Sequence, residues 1–496
     1  MQYWVTTFGC QMNVHDSDRM HEVMRGAGWS EAEEARAADV IVLNTCSVRE
    51  KAEQKLLSEL GRLAKLKDDR PGLLLVVAGC VAQQEGDKLL AAQRGVDLVL
   101  GPDNIPELPH LLGELSSGAP PLTRTVFDLD APQFLLATSV AEGKVTSFVT
   151  TMKGCDERCS FCVVPYTRGP ERYRPSADIV LEINGLVERG VREITLLGQT
   201  VNSYRDPSGA LPPAPGRGAS EDESEFAALL RAIAAGAPGL ARLRYTSPHP
   251  RHLVPSLERA HAELSILPRH VHLPVQSGSD RVLKRMIRRY TAAEYAARAA
   301  SLRAAVPGLT LSTDVIVGFP GETDEDFDAT LRLVEELGFL GVFGFKYSRR
   351  PHTPALKLAD DVPEAKKSER LARLFELSER LVVEHNAGLV GSRQRVLIEG
   401  PAKRAASTDG PARPHQGEVR TFTGRTDRNE IVHVDDPAAQ GLVGEIVELT
   451  VARALKHSLV GELDAADRER GLAAAAALAS GPRRTRLPVL STEGRP

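Results

Sequence analysis

The chain has 496 residues, too many for one ordinary domain, so roughly two to four are expected. A 42% hydrophobic and 26% charged composition supports real cores, and a formal net charge of −4 excludes any partner chosen by bulk charge alone. The first residues, Met1-Gln2-Tyr3-Trp4-Val5, lack the basic segment and apolar core of a leader. No apolar run reaches the ~18 residues of a membrane span, so no membrane association and a cytoplasmic location are expected.

In chain order, Tyr3–Thr7 reads as a strand, Ser17–Arg25 as a helix and Val40–Leu43 as a buried strand. A helix from about Arg49 to Lys65, a strand at Leu73–Ala78, a helix after Gln83 and a strand at Val96–Leu100 complete an open parallel α/β sheet over residues 1–115. Residues 116–140, rich in Gly, Pro and Ser, read as a linker. Strands then recur at Ser147–Val149, Glu193–Leu197, Leu243–Thr246, His270–Val275, Leu311–Val317 and Gly341–Tyr347, with helices between them. That pattern predicts a complete or partial β/α (TIM-like) barrel over 141–387, closed by a charged helix from Pro363 to His385. The Pro-, Gly- and acid-rich stretch Arg205–Glu223 reads as a mobile surface insertion. Short β segments at Gln394–Ile398, Glu418–Phe422, Ile431–Val434 and Glu445–Thr450 predict a small β-barrel over 389–462. Residues 463–496, rich in Ala, Arg and Pro, are expected to be a disordered tail.

Six cysteines in a reducing compartment point to metal ligands or nucleophiles rather than disulfides. Cys155, Cys159 and Cys162 form a C-x3-C-x2-C motif just after a predicted barrel strand. Three thiolates can hold three irons of a four-iron cluster and leave the fourth open to a small chelating molecule. Structural zinc is the alternative, but it wants a fourth ligand, and no histidine lies between His110 and His249. Cys10, Cys46 and Cys80 each follow one strand of the first sheet. Loops at the carboxyl ends of parallel strands converge on one edge, so these three become neighbours and offer a second cluster site. Taken singly, each could also be a small buried apolar residue.

The clustered motif, with Phe161 before its last cysteine, is similar to that of the radical S-adenosylmethionine superfamily. The resemblance implies an open iron that binds S-adenosylmethionine and cleaves it to a 5′-deoxyadenosyl radical. Thr7-Phe8-Gly9-Cys10-Gln11-Met12-Asn13, Asn44-Thr45-Cys46-Ser47-Val48-Arg49-Glu50-Lys51-Ala52 and Ala78-Gly79-Cys80-Val81-Ala82-Gln83 resemble the methylthiotransferase amino-terminal domain. In that family the three cysteines carry an auxiliary four-iron cluster that handles the sulfur to be inserted. Arg49-Glu50-Lys51-Ala52, Val163-Val164-Pro165-Tyr166-Thr167-Arg168-Gly169 and His272-Leu273-Pro274-Val275-Gln276-Ser277-Gly278-Ser279 look like the MiaB branch. That branch methylthiolates N6-isopentenyl (dimethylallyl) adenosine at position 37 of tRNA.

The resemblance thus implies two [4Fe-4S] clusters and two S-adenosylmethionine molecules, one giving a methyl group to sulfur and one the radical. It also implies tRNA as partner, a flavodoxin- or ferredoxin-like electron donor, a sulfur or cluster donor protein, and a monomer. Phe161 and Gln199 are the expected cofactor contacts. Basic residues at Lys284-Arg285 and Arg288-Arg289, and at Arg168, Arg172 and Arg174, read as phosphate contacts, with a solvated helix face as the alternative for the first group. The final β segment resembles TRAM-type RNA-binding domains, with Arg425 and Arg428 as candidate phosphate contacts. Val317–Thr323 reads as a strand end whose Thr323 caps the next helix, with Asp326 completing a capping box. Methylthiolation of N6-threonylcarbamoyladenosine in tRNA or of a ribosomal-protein aspartate, and a non-catalytic iron–sulfur RNA-binding protein, are the rival readings.

Overall fold

The computed structural model describes residues 1–48, 50–130, 132–135, 143–211, 224–402 and 421–480, in two units, 1–385 and 386–496. The first unit opens with a parallel sheet. Its strands are β1 (Gln2–Phe8), β2 (Val40–Thr45), β3 (Leu74–Gly79), β4 (Leu98–Leu100) and β5 (Leu122–Arg124), paired in that order, with a two-residue strand, Ser30–Glu31, outside β1. Helices α1 (Gln11–Gly26), α2 (Glu50–Asp69), α3 (Cys80–Glu85) and α4 (Leu108–Ser116) intervene. The continuous apolar run Val40–Leu43 follows from burial on both faces: Ile41 and Leu43 enter one core, Val40 and Val42 the other. Strand β5 falls inside the expected linker. Three residues, Leu-Thr-Arg, at a sheet edge carry no periodic signal, and pairing with Leu98–Leu100 is what makes them a strand.

All six barrel strands are present. They are β6 (Thr146–Thr150), β7 (Glu193–Leu197), β8 (Arg242–Tyr245), β9 (His270–His272), β10 (Thr310–Val317) and β11 (Val342–Lys346). They pair in parallel as two sheets, β8-β7-β6 and β9-β10-β11, so among the described residues the barrel is a partial one, open between β8 and β9. Helices α5 (Ser176–Glu188), α6 (Glu225–Gly236), α7 (Pro255–Glu263), α8 (Asp280–Arg285), α9 (Ala292–Ala305), α10 (Asp324–Leu337) and α11 (Glu364–Gly388) follow the strands. One continuous core of Ile, Leu, Val and aromatic side chains joins strands to helices. Of the expected insertion, residues 205–211 form a turn in which Asp206 accepts from Ser176 and Ser208; the remainder lies outside the described residues.

Helix α10 begins as its sequence predicts, with Thr323 and Asp326 in a capping box. Asp326 also accepts from Ser279 and Arg281. Burial alone would push this carboxyl up, but the hydrogen bonds from Arg281, Ser279 and Thr323 outweigh it and hold it at about 2, below its ordinary 3.8. A carboxylate depressed in the fold stabilises above its unfolded pKa, and that contribution is lost as pH falls through the folded one. Asp326→Ala is therefore expected to cost on the order of 2 kcal/mol near neutral pH, shrinking as pH is taken down from ~4 toward ~2. Urea titrations across that range check it.

The second unit is a closed barrel of β12 (Arg393–Pro401), β13 (Phe422–Thr426), β14 (Ile431–Val434), β15 (Ile446–Ala454) and β16 (Leu459–Leu463), in the order β12-β13-β14-β16-β15. Val396, Ile398, Phe422, Val432, Leu449 and Leu459 fill it. The expected strand at 418–422 begins at Phe422, and 418–420 lie outside the described residues. Where disorder was expected, residues Ala465–Ser480 form helix α12, which packs on the turn Pro437–Leu442 with the Gly471 backbone against Gly441. Alanine is the strongest helix former, so the same composition that suggested disorder folds once a surface is there to receive it. The last sixteen residues, 481–496, lie outside the described ones.

Candidate active site

The sheet register brings Cys10, Cys46 and Cys80 together. Phe8 pairs with Thr45 and Thr45 with Gly79, so all three strands end level. Cys10 is the N-cap of α1, Cys46 follows β2 and Cys80 starts α3. The Cys46 amide donates to the Phe8 carbonyl at 2.9 Å, and the Asn13 amide donates to Asn44 Oδ1 at 3.2 Å. Asn44 Nδ2 in turn donates to the Asn13 carbonyl and to Ser17, which clamps the Cys10 loop to the Cys46 loop. Gly79 has φ +92, and a β-carbon there would collide with Asn44 Oδ1, so only glycine lets the third loop close on the other two. A hydrogen bond from Cys46 holds the Cys10 thiol down at about 6, while the same contact, burial and the nearby Cys80 push Cys46 up. Burial raises Cys80.

The second set follows β6. Gly154, with φ +78, lets Cys155 turn back so that its amide reaches the Gly169 carbonyl at 3.1 Å. The Ser160 amide donates to the Met286 carbonyl at 2.9 Å and Cys162 closes on the Cys159 carbonyl at 3.1 Å. Burial pushes Cys155 up to about 11 and Cys162 up to about 12, with Cys159 close enough to raise both further. Thr200 Oγ1 lies 2.9 Å from Cys155 Sγ. A β-carbon on Gly154 would overlap the Pro170 carbonyl oxygen, and backbone strain at that φ adds roughly 1–3 kcal/mol. Gly154→Ala is expected to displace Cys155 and halve the iron bound after anaerobic loading; iron analysis reads it.

Two buried arginines back these sulfurs. Arg168 Nε donates to Cys80 Sγ at 3.3 Å and its guanidinium grips Asp16 of α1 at 2.5 and 3.3 Å. Arg288 donates to Cys159 Sγ at 3.3 Å, to Tyr290 and to the Pro274 carbonyl. Arg172 pairs with Asp103, and Arg174 with Glu182, both buried. Phosphate contact is thus the wrong reading of Arg168, Arg172, Arg174 and Arg288, because none of them faces water. Arg289, with φ +56, is exposed and lines a cleft of about 580 Å³ with Glu157, Glu171, Tyr173, Ser203 and His252. Phe161 packs beside Met286 and Phe319. Gln199 Oε1 is buried without a hydrogen-bond partner among the described residues. In the second unit Arg425 pairs with Glu399, and Arg428 with Glu430 and Gln394, so both expected phosphate contacts are committed within the domain.

No motif announces the Glu157, His249 and His252 group, whose ligand atoms lie within 4.8 Å of one another beside the Cys155 loop. The hydrogen bond from His252 holds Glu157 at about 2, and burial holds His249 at about 2. Their juxtaposition depends on strand order, which no local motif encodes.

The donor sets fit iron–sulfur chemistry. Each groups three thiols, burial disfavours the free thiolate at Cys80, Cys155 and Cys162 unless metal cations compensate, and each set has a guanidinium aimed at one sulfur. The orphaned Gln199 oxygen, next to Thr200, leaves an acceptor for a bound small molecule beside the Cys155 set.

Residues 149–334 match the family model of the Radical SAM superfamily, and residues 2–101 match that of Uncharacterized protein family UPF0004. The barrel and its three-thiol loop therefore define a radical S-adenosylmethionine enzyme. A tRNA-2-methylthio-N(6)-dimethylallyladenosine synthase of Sorangium cellulosum (strain So ce56) is 64% identical, over 99% of this chain and 99% of the relative. One of Burkholderia cenocepacia (strain HI2424) is 43% identical, over 93% of this chain and 96% of the relative. The radical S-adenosylmethionine methyltransferase TsrM from Kitasatospora setae shares the fold at TM-score 0.50 and 15% identity, over 83% of this chain and 81% of that one. The chain belongs to the tRNA-2-methylthio-N(6)-dimethylallyladenosine synthase family and is an enzyme of the tRNA methylthiotransferase class. Among the described residues no helix is long and apolar enough to cross a membrane.

Proposed function

We propose that the protein methylthiolates N6-(dimethylallyl)adenosine at position 37 of tRNA, at carbon 2 of the base. The observation that carries this is the sorting of all six cysteines into two three-thiol sets within the first unit, one on the sheet edge and one on the barrel loop. Cys155, Cys159 and Cys162 would hold the four-iron cluster that receives S-adenosylmethionine, and Cys10, Cys46 and Cys80 the auxiliary one. When bound, these groups supply one-electron cleavage of S-adenosylmethionine and delivery of a methylthio group to an unactivated C–H carbon, which no acid–base pair in a protein achieves.

The chain's own residues orient and insulate. Arg168 and Arg288 hold positive charge against one thiolate of each set. Thr200 fixes the direction of the Cys155 sulfur, and the unpartnered Gln199 oxygen would accept a hydrogen bond from the cofactor when it is bound. The Asn13–Asn44 clamp keeps the auxiliary loops in register with the sheet. A low-potential electron donor protein and a sulfur donor are the partners this chemistry requires, and exposed Arg289 with the second unit's barrel offers the RNA contacts.

The test is anaerobic turnover of the cluster-loaded chain with S-adenosylmethionine and a reductant, on tRNA carrying dimethylallyladenosine. Mass spectrometry of the digested nucleosides is expected to show the 2-methylthio derivative. Product formed only on threonylcarbamoyladenosine tRNA, or only on a protein aspartate, would overturn the reading.

A further inference from the structure

The inner face of the second barrel sheet carries a row of side chains that the chemistry above leaves unused. On β10, Leu311, Val315 and Val317 enter the helix-packed core, so Ser312 and Asp314 face the opposite, inner side. On β9, Val271 takes the core and His270 and His272 the inner side. On β11, Gly344 packs against Leu371 and Leu374 of α11, which turns Phe343 inward. The register aligns them: His272 lies opposite Ser312, and Asp314 opposite Phe343.

These groups are in contact. His270 Nε2 and His272 Nδ1 both meet Ser312 Oγ, at 3.1 and 3.0 Å. His272 Nε2 stands 3.5 Å from Asp314 Oδ2, with the two side chains 21% and 30% exposed. The His272 ring meets Phe343 edge-on, with centroids 5.6 Å apart. Phe343 itself is 54% exposed although it lies within a strand. A large aromatic ring on the inner face, beside a carboxylate whose oxygen lies 3.5 Å from a histidine nitrogen, is a platform for a flat ligand with a hydrogen-bond donor on its rim.

We infer that this row is the seat of the reacting base: Phe343 stacks on the adenine ring, Asp314 accepts its N6–H, and His272 is the positioning residue that holds Asp314. The inference rests on the proposed reaction and adds its substrate contacts. An N6-alkyladenine keeps one N–H at that position. Guanine puts a carbonyl oxygen there, which a carboxylate repels, so Asp314 discriminates between the purines.

The experiment compares binding of two anticodon stem-loop RNAs by the anaerobic, cluster-loaded chain. One carries N6-(dimethylallyl)adenosine at the reacting position, and the other an abasic nucleotide there. The wild type is expected to prefer the first by about tenfold or more, Phe343→Ala to lose that preference, and Phe343→Tyr to keep it. Asp314→Asn is expected to lower kcat/KM about tenfold, chiefly through KM, and to release more 5′-deoxyadenosine per methylthio product. His272→Asn is expected to move the same two readouts in the same direction by less, with iron content unchanged in every variant. Wild-type base preference in Phe343→Ala, or wild-type kcat/KM in Asp314→Asn, overturns the assignment. A wild-type chain that forms no methylthio product overturns the proposed reaction instead, and a preference lost in Phe343→Ala would then still place the base on this row.

Discussion

Replacing Cys10, Cys46 and Cys80 together by alanine is expected to lower bound iron from about eight atoms per chain to about four. Cleavage of S-adenosylmethionine should continue in this variant while methylthio product disappears. Replacing Cys155, Cys159 and Cys162 should also remove about four irons, but it should abolish cleavage and product together. The asymmetry follows from placement. The first three thiols cap the β1–β3 edge, and the last three lie on the loop after β6, beside Thr200 and the orphaned Gln199 oxygen. Alanine is close to cysteine in size, and the backbone bonds that set the loops, such as Cys46 to Phe8 and Cys155 to Gly169, involve no sulfur. Both folds should therefore persist, so that iron loss reports ligation rather than unfolding. Iron and acid-labile sulfide analysis, with chromatographic measurement of 5′-deoxyadenosine, separates the two sets. A single four-iron total in the wild type would remove the auxiliary site from the mechanism.

The elements that were legible in the sequence share a physical cause. Strands buried on both faces, such as Val40–Leu43 and Leu74–Ala78, read as unbroken apolar runs, and the cysteines directly after them inherit their position from the sheet. What was illegible depends on partners far away in the chain. An arginine read alone belongs on the surface, yet Arg168 is buried because Asp16, 152 residues earlier, neutralises it. Arg288 is inward for a similar reason, drawn to Cys159, Tyr290 and the Pro274 carbonyl. The row His272, Asp314 and Phe343 is assembled by strand register alone, and helix α12 by a turn of the small barrel that receives it. Local words report local environment; charge burial and inner-face chemistry are properties of the fold.

That buried pair carries the second large effect. Asp16→Ala leaves the Arg168 guanidinium inside the protein without its counter-ion, with both partners otherwise less than a tenth exposed. Removing one member of such a pair costs about 3–5 kcal/mol, whereas replacing both by apolar residues of similar volume is often neutral. Asp16→Ala is therefore expected to shift urea unfolding to markedly lower concentration, and the double variant Asp16→Leu, Arg168→Met to restore most of the loss. The reporter is already in the right place, since the chain's two tryptophans, Trp4 and Trp29, both pack against the cores of the first sheet. The restored double variant should still differ from wild type in one respect. It lacks the donor to Cys80 Sγ, so the reduction potential of the auxiliary cluster proposed at Cys10, Cys46 and Cys80 should fall, because a positive hydrogen-bond donor beside a thiolate favours the more negative, reduced state. Anaerobic potentiometry with magnetic-resonance detection reads that shift independently of stability. Wild-type potential in the double variant would reduce Arg168 to a purely structural strut between α1 and the barrel loop.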